Sequence, residues 1–169
     1  MNGADRARVA ELYAATWAPM IGLLVSMGGS RADAEELIQE AFEKLVKSWD
    51  RLRTYDEPAA WLRTVAVRAL IDRHRRTQVA KAAEPKLLQR AERHADPDAH
   101  EGRLDLDEAM AGLSVEHRAV VLLFYVHDLG VDDIATTLQV PTGTVKSRLS
   151  RARSALAQSL ELQEVHDDE

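Results

Sequence analysis

The side chains in this sequence best suited to chemistry are cations. Lys146, Arg148, Arg151 and Arg153 lie between Thr142 and Gln158 without one acid among them. They overlap the stretch Val131–Leu149, where Ile134, Leu138, Val140, Val145 and Leu149 occupy the apolar positions of a helix-turn-helix. Ala135 is small where the two helices must approach, and Thr142 is placed to cap the second. That helix would present Thr144, Lys146, Ser147, Arg148, Ser150 and Arg151 near its N-terminal exposed side. From there Arg and Lys reach guanine edges and phosphates. A plain helical hairpin with a solvated basic face shares part of this pattern; the acid-free run favours DNA contact. A second basic run holds Arg63, Arg68, Arg73, Arg75, Arg76 and Lys81, with Asp72 as its sole acid. Trp61 heads that run and Tyr55 precedes it, so the region could line a groove for an extruded strand. A tryptophan-led stripe is also ordinary core packing, and Trp61 can be only that.

A third pattern is acidic. Glu36, Gln39, Glu40 and Glu43 recur at helical spacing opposite the apolar stripe Leu37, Ile38, Ala41, Phe42 and Leu45. Taken alone, such a face is usually just solvated. No constellation points to catalysis: the histidines 74, 94, 100, 117, 127 and 166 are scattered without ligand spacing. No Gly-rich phosphate loop or nucleophile motif occurs. The expectation is a protein that is not an enzyme, with no catalytic residue, no metal and no cofactor.

The elements that must carry these side chains read as helices throughout, rich in Ala, Leu, Arg and Glu. Val9, Leu12, Tyr13, Thr16, Trp17 and Met20 mark one face of a first helix, and Gly28-Gly29 breaks it. Ser30 and Asp33 open a second helix to about Trp49; Asp56-Glu57-Pro58 opens a third, from about Ala59 to Arg76. The apolar period weakens between Lys81 and Arg103, where Pro85, Pro97 and Gly102 fall, which reads as a linker with a short helix near Leu87–Arg93. Helices resume at Leu104; Ser114 caps the one carrying Val120–Val126, and Gly130 ends it. The fold class expected is all-α: two small helical domains joined by a flexible linker, the second ending in the helix-turn-helix. Their limits are 1–80 and 104–162, around a linker at 81–103 and before an acidic tail at 163–169.

Net charge is −6, which argues against a free-standing DNA binder; the two local basic patches nevertheless suit two phosphate contacts. With no cysteine, a disulfide framework and a Cys-ligated zinc are excluded. The longest unbroken apolar run, Val120–Val126, is too short to span a bilayer, and Met1–Arg8 lacks the apolar core of a signal peptide. A cytoplasmic protein without membrane insertion is expected.

Together the three patterns resemble the sigma-70 family of bacterial RNA polymerase sigma factors, in its short extracytoplasmic-function (ECF) class. Glu36, Gln39 and Glu40 match the carboxylate, two spacers, then Gln-Glu of the family's core-binding helix. The Trp61-led helix resembles the element that opens and reads the minus-ten region, and the C-terminal hairpin resembles the domain that reads the minus-thirty-five element. The patterns occur in family order and cover nearly all the chain except the tail. The resemblance implies that Glu36, Gln39, Glu40 and Glu43 bind polymerase. It implies that Arg53, Thr54, Tyr55, Asp56, Trp61, Arg68, Arg73, Arg75 and Arg76 handle minus-ten single strand. Thr142, Thr144, Lys146, Ser147, Arg148, Ser150, Arg151 and Arg153 would read the minus-thirty-five duplex. Implied partners are core RNA polymerase, through its clamp and flap, promoter DNA, and an anti-sigma factor. Two positions depart from the pattern: Arg68 stands where many relatives carry Asn, and Gln139 where many carry Gly. A stand-alone helix-turn-helix repressor or activator that binds operator DNA as a dimer remains open, as does a regulator that holds sigma or polymerase proteins without reading DNA.

Overall fold

Every regular element among the described residues is an α-helix; the computed structural model describes residues 1–83 and 101–167, with side-chain burial for 1–82 and 106–159. The expected short helix at 87–93, most of the expected linker and the last two tail residues lie outside that range.

The first half comprises α1 (Gly3–Ser26), α2 (Arg31–Lys47), α3 (Trp49–Leu52) and α4 (Pro58–Ala83). Asn2 caps α1 reciprocally: its side chain accepts from the Asp5 N–H at 2.8 Å, and the Asp5 carboxylate accepts from the Asn2 N–H. Two donors that the helix itself leaves orphaned are thereby satisfied. The sequence break at Gly28-Gly29 is the α1 terminus, with Gly28 at φ +102°. Ser30 accepts from the Asp33 N–H and starts α2. The first bonds of α4 fall on the Glu57 carbonyl, from Ala60 and Trp61. The cap position is therefore Glu57, one residue later than expected, with Pro58 in the first turn where its missing N–H costs nothing. α4 runs to Ala83, past the point where the sequence places the linker's start.

The second half comprises α5 (Glu101–Ala111), α6 (Val115–Tyr125), α7 (Val131–Leu138) and α8 (Thr142–Asp167). Ser114 caps α6 as expected. Gly130 does not end that helix: α6 stops at Tyr125, Asp128 takes a left-handed φ of 51°, and Gly130 is the N-cap of α7. Thr142 does not cap α8 either; it is the first helical residue, and the Pro141 carbonyl receives the bonds from Thr144 and Val145.

In the first half α1, α2 and α4 pack on one another; in the second, α8 holds α5, α6 and α7. Leu24, Ile38, Leu45, Leu62, Val67 and Leu70 are almost fully buried in the one, and Val120, Leu123, Ile134 and Val145 in the other. Each such side chain contributes about 1.5–3 kcal/mol of transfer free energy. The buried core is continuous across both halves, through α4 against α6 and α7 and through α1 against α6. Gly28 faces Arg118 of α6, whose guanidinium nitrogen would lie 2.6 Å from a Cβ there, and its φ of +102° is what favours glycine.

By length and composition α1 is apolar enough to cross a membrane, contrary to the expectation drawn from unbroken apolar runs. Its apolar residues are interleaved with Ala, Gly and Thr, so no single run betrays them. In the fold α1 serves as a core helix, burying Met20, Ile21, Leu23 and Leu24.

Candidate functional site

The helix-turn-helix is α7, a turn of Gln139, Val140 and Pro141, and α8. Ile134 and Val145 are fully buried between its helices, with Ala135 and Leu149 nearly so and Leu138 and Val140 packed at the edge. This pins one side of α8 inward. The exposed side carries Thr142, Lys146, Ser147, Ser150, Arg151 and Arg153, while Thr144 and Arg148 are half-buried on the flank. Lys146, Arg151 and Arg153 form no ion pair among the described residues. Ser147 spends its proton locally, donating to the Thr144 carbonyl at 3.0 Å. Ser147 apart, the surface is thus a row of solvated donors, the form that meets phosphates and base edges.

The basic run of α4 is different, because Arg68, Arg73 and Arg75, half of its cations, are engaged. Arg73 pairs with Asp33 at 2.6 Å and with Glu36 at 2.9 Å, bringing two expected site residues of opposite roles together. The Glu36 hydrogen bond raises the Arg73 pKa; burial opposes it and Asp33 adds to it. Asp33 is held below the usual carboxylate range, first by the Ser30 hydroxyl, against the pull of burial, and then by Arg73. Arg75 donates to Glu116 of α6 at 3.1 Å and lies 3.8 Å from Asp72. Burial works to raise the Glu116 pKa, but its own backbone N–H, Arg75 and the charge of Arg148 leave it lowered. Arg68 donates through Nε to the Thr137 carbonyl at 2.6 Å and through Nη2 to the Thr136 carbonyl. Burial lowers its pKa, partly offset by Asp72, though a guanidinium stays charged at any physiological pH. Arg76 is exposed and has no ion pair among the described residues.

The loop between α3 and α4 exposes Tyr55 at 45% of its surface, with Arg53, Thr54 and Asp56 also exposed. It is shaped rather than loose: the Tyr55 N–H donates to the Leu52 carbonyl and the Thr54 hydroxyl to the Arg51 carbonyl. Trp61 packs partly buried against the core, so its ring is at least a structural wedge.

On α2, Glu36, Gln39, Glu40 and Glu43 are all exposed on one face, and Lys47 reaches Glu43 at 3.9 Å. The structure adds residues to this face that the sequence reading did not give it. Gln39 and Glu43 border a shallow apolar groove with Val9, Tyr13, Phe42 and Val46. Tyr13 stacks on Trp17 at 4.8 Å and tilts on Phe42 at 5.0 Å, yet keeps 43% of its surface exposed. The α1 periodicity assigned Tyr13 to the buried face; only the crossing of α1 over α2, which no local pattern encodes, leaves it at the rim.

The two departures from the family pattern meet at one place. Gln139 is the C-cap of α7 in the left-handed conformation, φ 53°, where a non-glycine residue costs roughly 1 kcal/mol. The carbonyls that Arg68 binds belong to that same helix end.

Two family models match the chain: "Sigma-70 region 2" over residues 9–79 and "Sigma-70, region 4" over residues 103–156. The ECF RNA polymerase sigma factor SigL of Mycobacterium tuberculosis is 32% identical over 165 residues, covering 94% of this chain and 92% of SigL. SigM of the same organism, also an ECF RNA polymerase sigma factor, is 34% identical over 129 residues, 76% of this chain and 64% of SigM. Among solved structures, the sigma factor RpoE in complex with the anti-sigma factor NepR from Bartonella quintana superposes with a TM-score of 0.71 at 22% identity. The match covers 90% of this chain and 96% of that one, a likeness of fold. The chain belongs to the sigma-70 family, as a sigma factor of the extracytoplasmic-function class that directs RNA polymerase in promoter recognition.

Proposed function

We propose that the chain divides this work between its halves, with domains at 1–80 and 104–162 on either side of the linker. Gln39, Glu40 and Glu43, with Glu36 shared between Arg73 and the partner, dock on the clamp of core RNA polymerase. The adjoining groove with Tyr13 and Val46 gives that docking an apolar centre beside its charged rim, the usual anatomy of a specific interface. The loop Arg53–Asp56, Trp61 and the α4 arginines 68, 73, 75 and 76 receive the minus-ten strand, with Tyr55 exposed for stacking on a base. α8 reads the minus-thirty-five duplex in the major groove, near the polymerase flap. The work is done in the cytoplasm, and an anti-sigma factor is the further partner class, as the RpoE–NepR complex illustrates for its own protein.

The observation that carries this reading is the acid-free row Lys146, Ser147, Ser150 and Arg151, solvated on a helix-turn-helix. Its test is run-off transcription with purified core polymerase, with and without the chain. Promoter-dependent transcripts only in its presence are expected; equal transcripts without it would overturn the proposal.

A further inference from the structure

The loop that presents Tyr55 hangs from α3, a single turn of helix, Trp49–Leu52. One turn does not hold by itself, because it fixes several residues for one hydrogen bond. On the inner side Trp49 and Leu52 are buried in the core. On the outer side the start of α1 takes hold. The Arg8 guanidinium lies over the Trp49 ring, 5.7 Å from its centroid, and donates through Nη1 to the Arg53 carbonyl at 3.5 Å. Trp49 is the first residue of α3 and Arg53 its C-cap, so one side chain grips both ends of the turn. The Arg53 carbonyl is free to accept, since the last carbonyls of a helix have no intrahelical donor. Both contacts are at the long end of their kind, so neither is strong alone.

Asp5 adds a second hold. It is buried, and its reciprocal cap with Asn2 fixes its carboxylate. The buried Trp49 indole N–H has no hydrogen bond of full geometry among the described residues, yet it faces Asp5 closely enough to be the first cause of that carboxylate's lowered pKa. Burial opposes this, and the Asn2 N–H and the charge of Arg53 add to it. The far root of the loop rests on the same helix. Pro58, which opens α4, borders a cavity of about 290 Å³ together with Trp49 and with Arg8, Glu11, Leu12 and Ala15 of α1.

We infer that Asp5 and Arg8 are positioning residues for minus-ten strand capture, bracing α3 from outside so that the loop presents Tyr55 in a fixed direction. The inference rests on the strand-receiving role proposed above for this loop. It adds residues that the match to sigma-70 region 2, which starts at residue 9, does not reach. The chain of contacts is short. The Tyr55 N–H donates to the Leu52 carbonyl at 3.0 Å, so the ring's direction follows that of α3. Stacking on a base needs that direction, and a loop already ordered spends less of its binding energy on becoming so.

The test uses holoenzyme made with the full chain and a fluorescent non-template oligonucleotide spanning the minus-ten element of a promoter that supports run-off. Abasic sites are placed at each minus-ten position in turn. The position at which Tyr55→Ala removes the abasic penalty marks the stacked base. There the wild type should lose about fivefold to a hundredfold in affinity, the scale of one base–aromatic stack. Arg8→Met and Asp5→Asn should each shrink that penalty several-fold at unchanged core binding and helix content. Arg8→Lys, which keeps the cation over Trp49 and a donor for the Arg53 carbonyl, should restore it. A full penalty in Arg8→Met and Asp5→Asn overturns the brace. So does equal weakening on intact and abasic strands by Arg8→Met with a salt slope reduced by about 1, which would make Arg8 a phosphate contact. Amide exchange in the free chain is a second, DNA-independent reading: Arg53 and Tyr55 should exchange faster in Arg8→Met, and unchanged rates also overturn the brace. Where no position depends on Tyr55, the loop's proposed role fails and the inference falls with it; where Tyr55 matters and Arg8 and Asp5 do not, the inference falls alone.

Discussion

Two helices of this molecule carry similar cations and use them differently. On α8, Lys146, Arg151 and Arg153 stand in solvent without an ion pair among the described residues. On α4, Arg68, Arg73 and Arg75 are tied to carbonyls of α7, carboxylates of α2 and a carboxylate of α6. The same residue type thus serves as a waiting ligand in one place and as an internal strut in the other. A basic run in a sequence reports the supply of positive charge; only the fold reports how much is already taken.

The sharpest way to break the comparison acts on neither basic helix. Gln39→Ala with Glu40→Ala should weaken core polymerase binding by about 30-fold, the order of a loss at an interface hot spot. Helix content by circular dichroism should not change, because both side chains are exposed on α2. Undiminished pull-down of core polymerase would remove α2 from the interface.

On α8 the expected effects are somewhat smaller and differ in kind. Arg148→Ala should change which minus-thirty-five sequences the holoenzyme uses, by about 1–3 kcal/mol at the affected base pair. Arg153→Ala should weaken all sequences alike and reduce the salt slope by about 1. Identical base preferences in wild type and Arg148→Ala would make half-buried Arg148 a partner of Glu116 rather than a reader.

Arg73→Ala tests the strut reading directly. Its partners are well exposed, so its loss should lower stability by no more than about 1 kcal/mol. The sign with pH follows from Asp33, whose folded pKa is lowered by Ser30 and Arg73. That carboxylate stabilises the fold above its ordinary pKa, and the contribution fades as pH falls through the lowered value. Thermal melts of wild type and Arg73→Ala should therefore differ at neutral pH and converge in acid. A difference that grows on acidification would contradict the ion pair.

The smallest effect is at the turn. Gln139→Gly removes a left-handed strain of about 1 kcal/mol, part of which the greater freedom of glycine in the unfolded chain cancels. Its melting temperature should rise by no more than about 2–4 °C. A fall would mean that the Gln139 side chain supports the turn.

Much of this was legible in the sequence, for physical reasons that can be stated. Ile134, Val145 and Leu149 repeat at helical spacing, so the helix-turn-helix and its inward side follow from periodicity alone. Ser30 and Ser114 cap where a hydroxyl precedes an apolar period. The misses are of two types, helix caps and contacts between distant elements. Gly130 has the composition of a helix end, yet it is the N-cap of α7 because Asp128 supplies the left-handed residue instead. Thr142 and Asp56 looked like caps, but the cap positions fall on Pro141 and Glu57, since a proline beside either start fixes the backbone first. Tyr13 and Arg68 needed the crossing of elements distant in sequence, α1 over α2 and α4 against α7, and short-range spacing carries no information about that.

The comparison between a free row and an engaged row comes to a head in one titration. Promoter duplex is titrated at near-physiological salt with the chain alone and with its holoenzyme. Negative net charge and the engaged arginines of α4 predict weak binding, with little sequence preference, by the chain alone. The holoenzyme, in which both readers act together, should bind specifically and far more tightly. Specific binding by the free chain at holoenzyme-like affinity would contradict this, and would mark a helix-turn-helix regulator that reads DNA unaided.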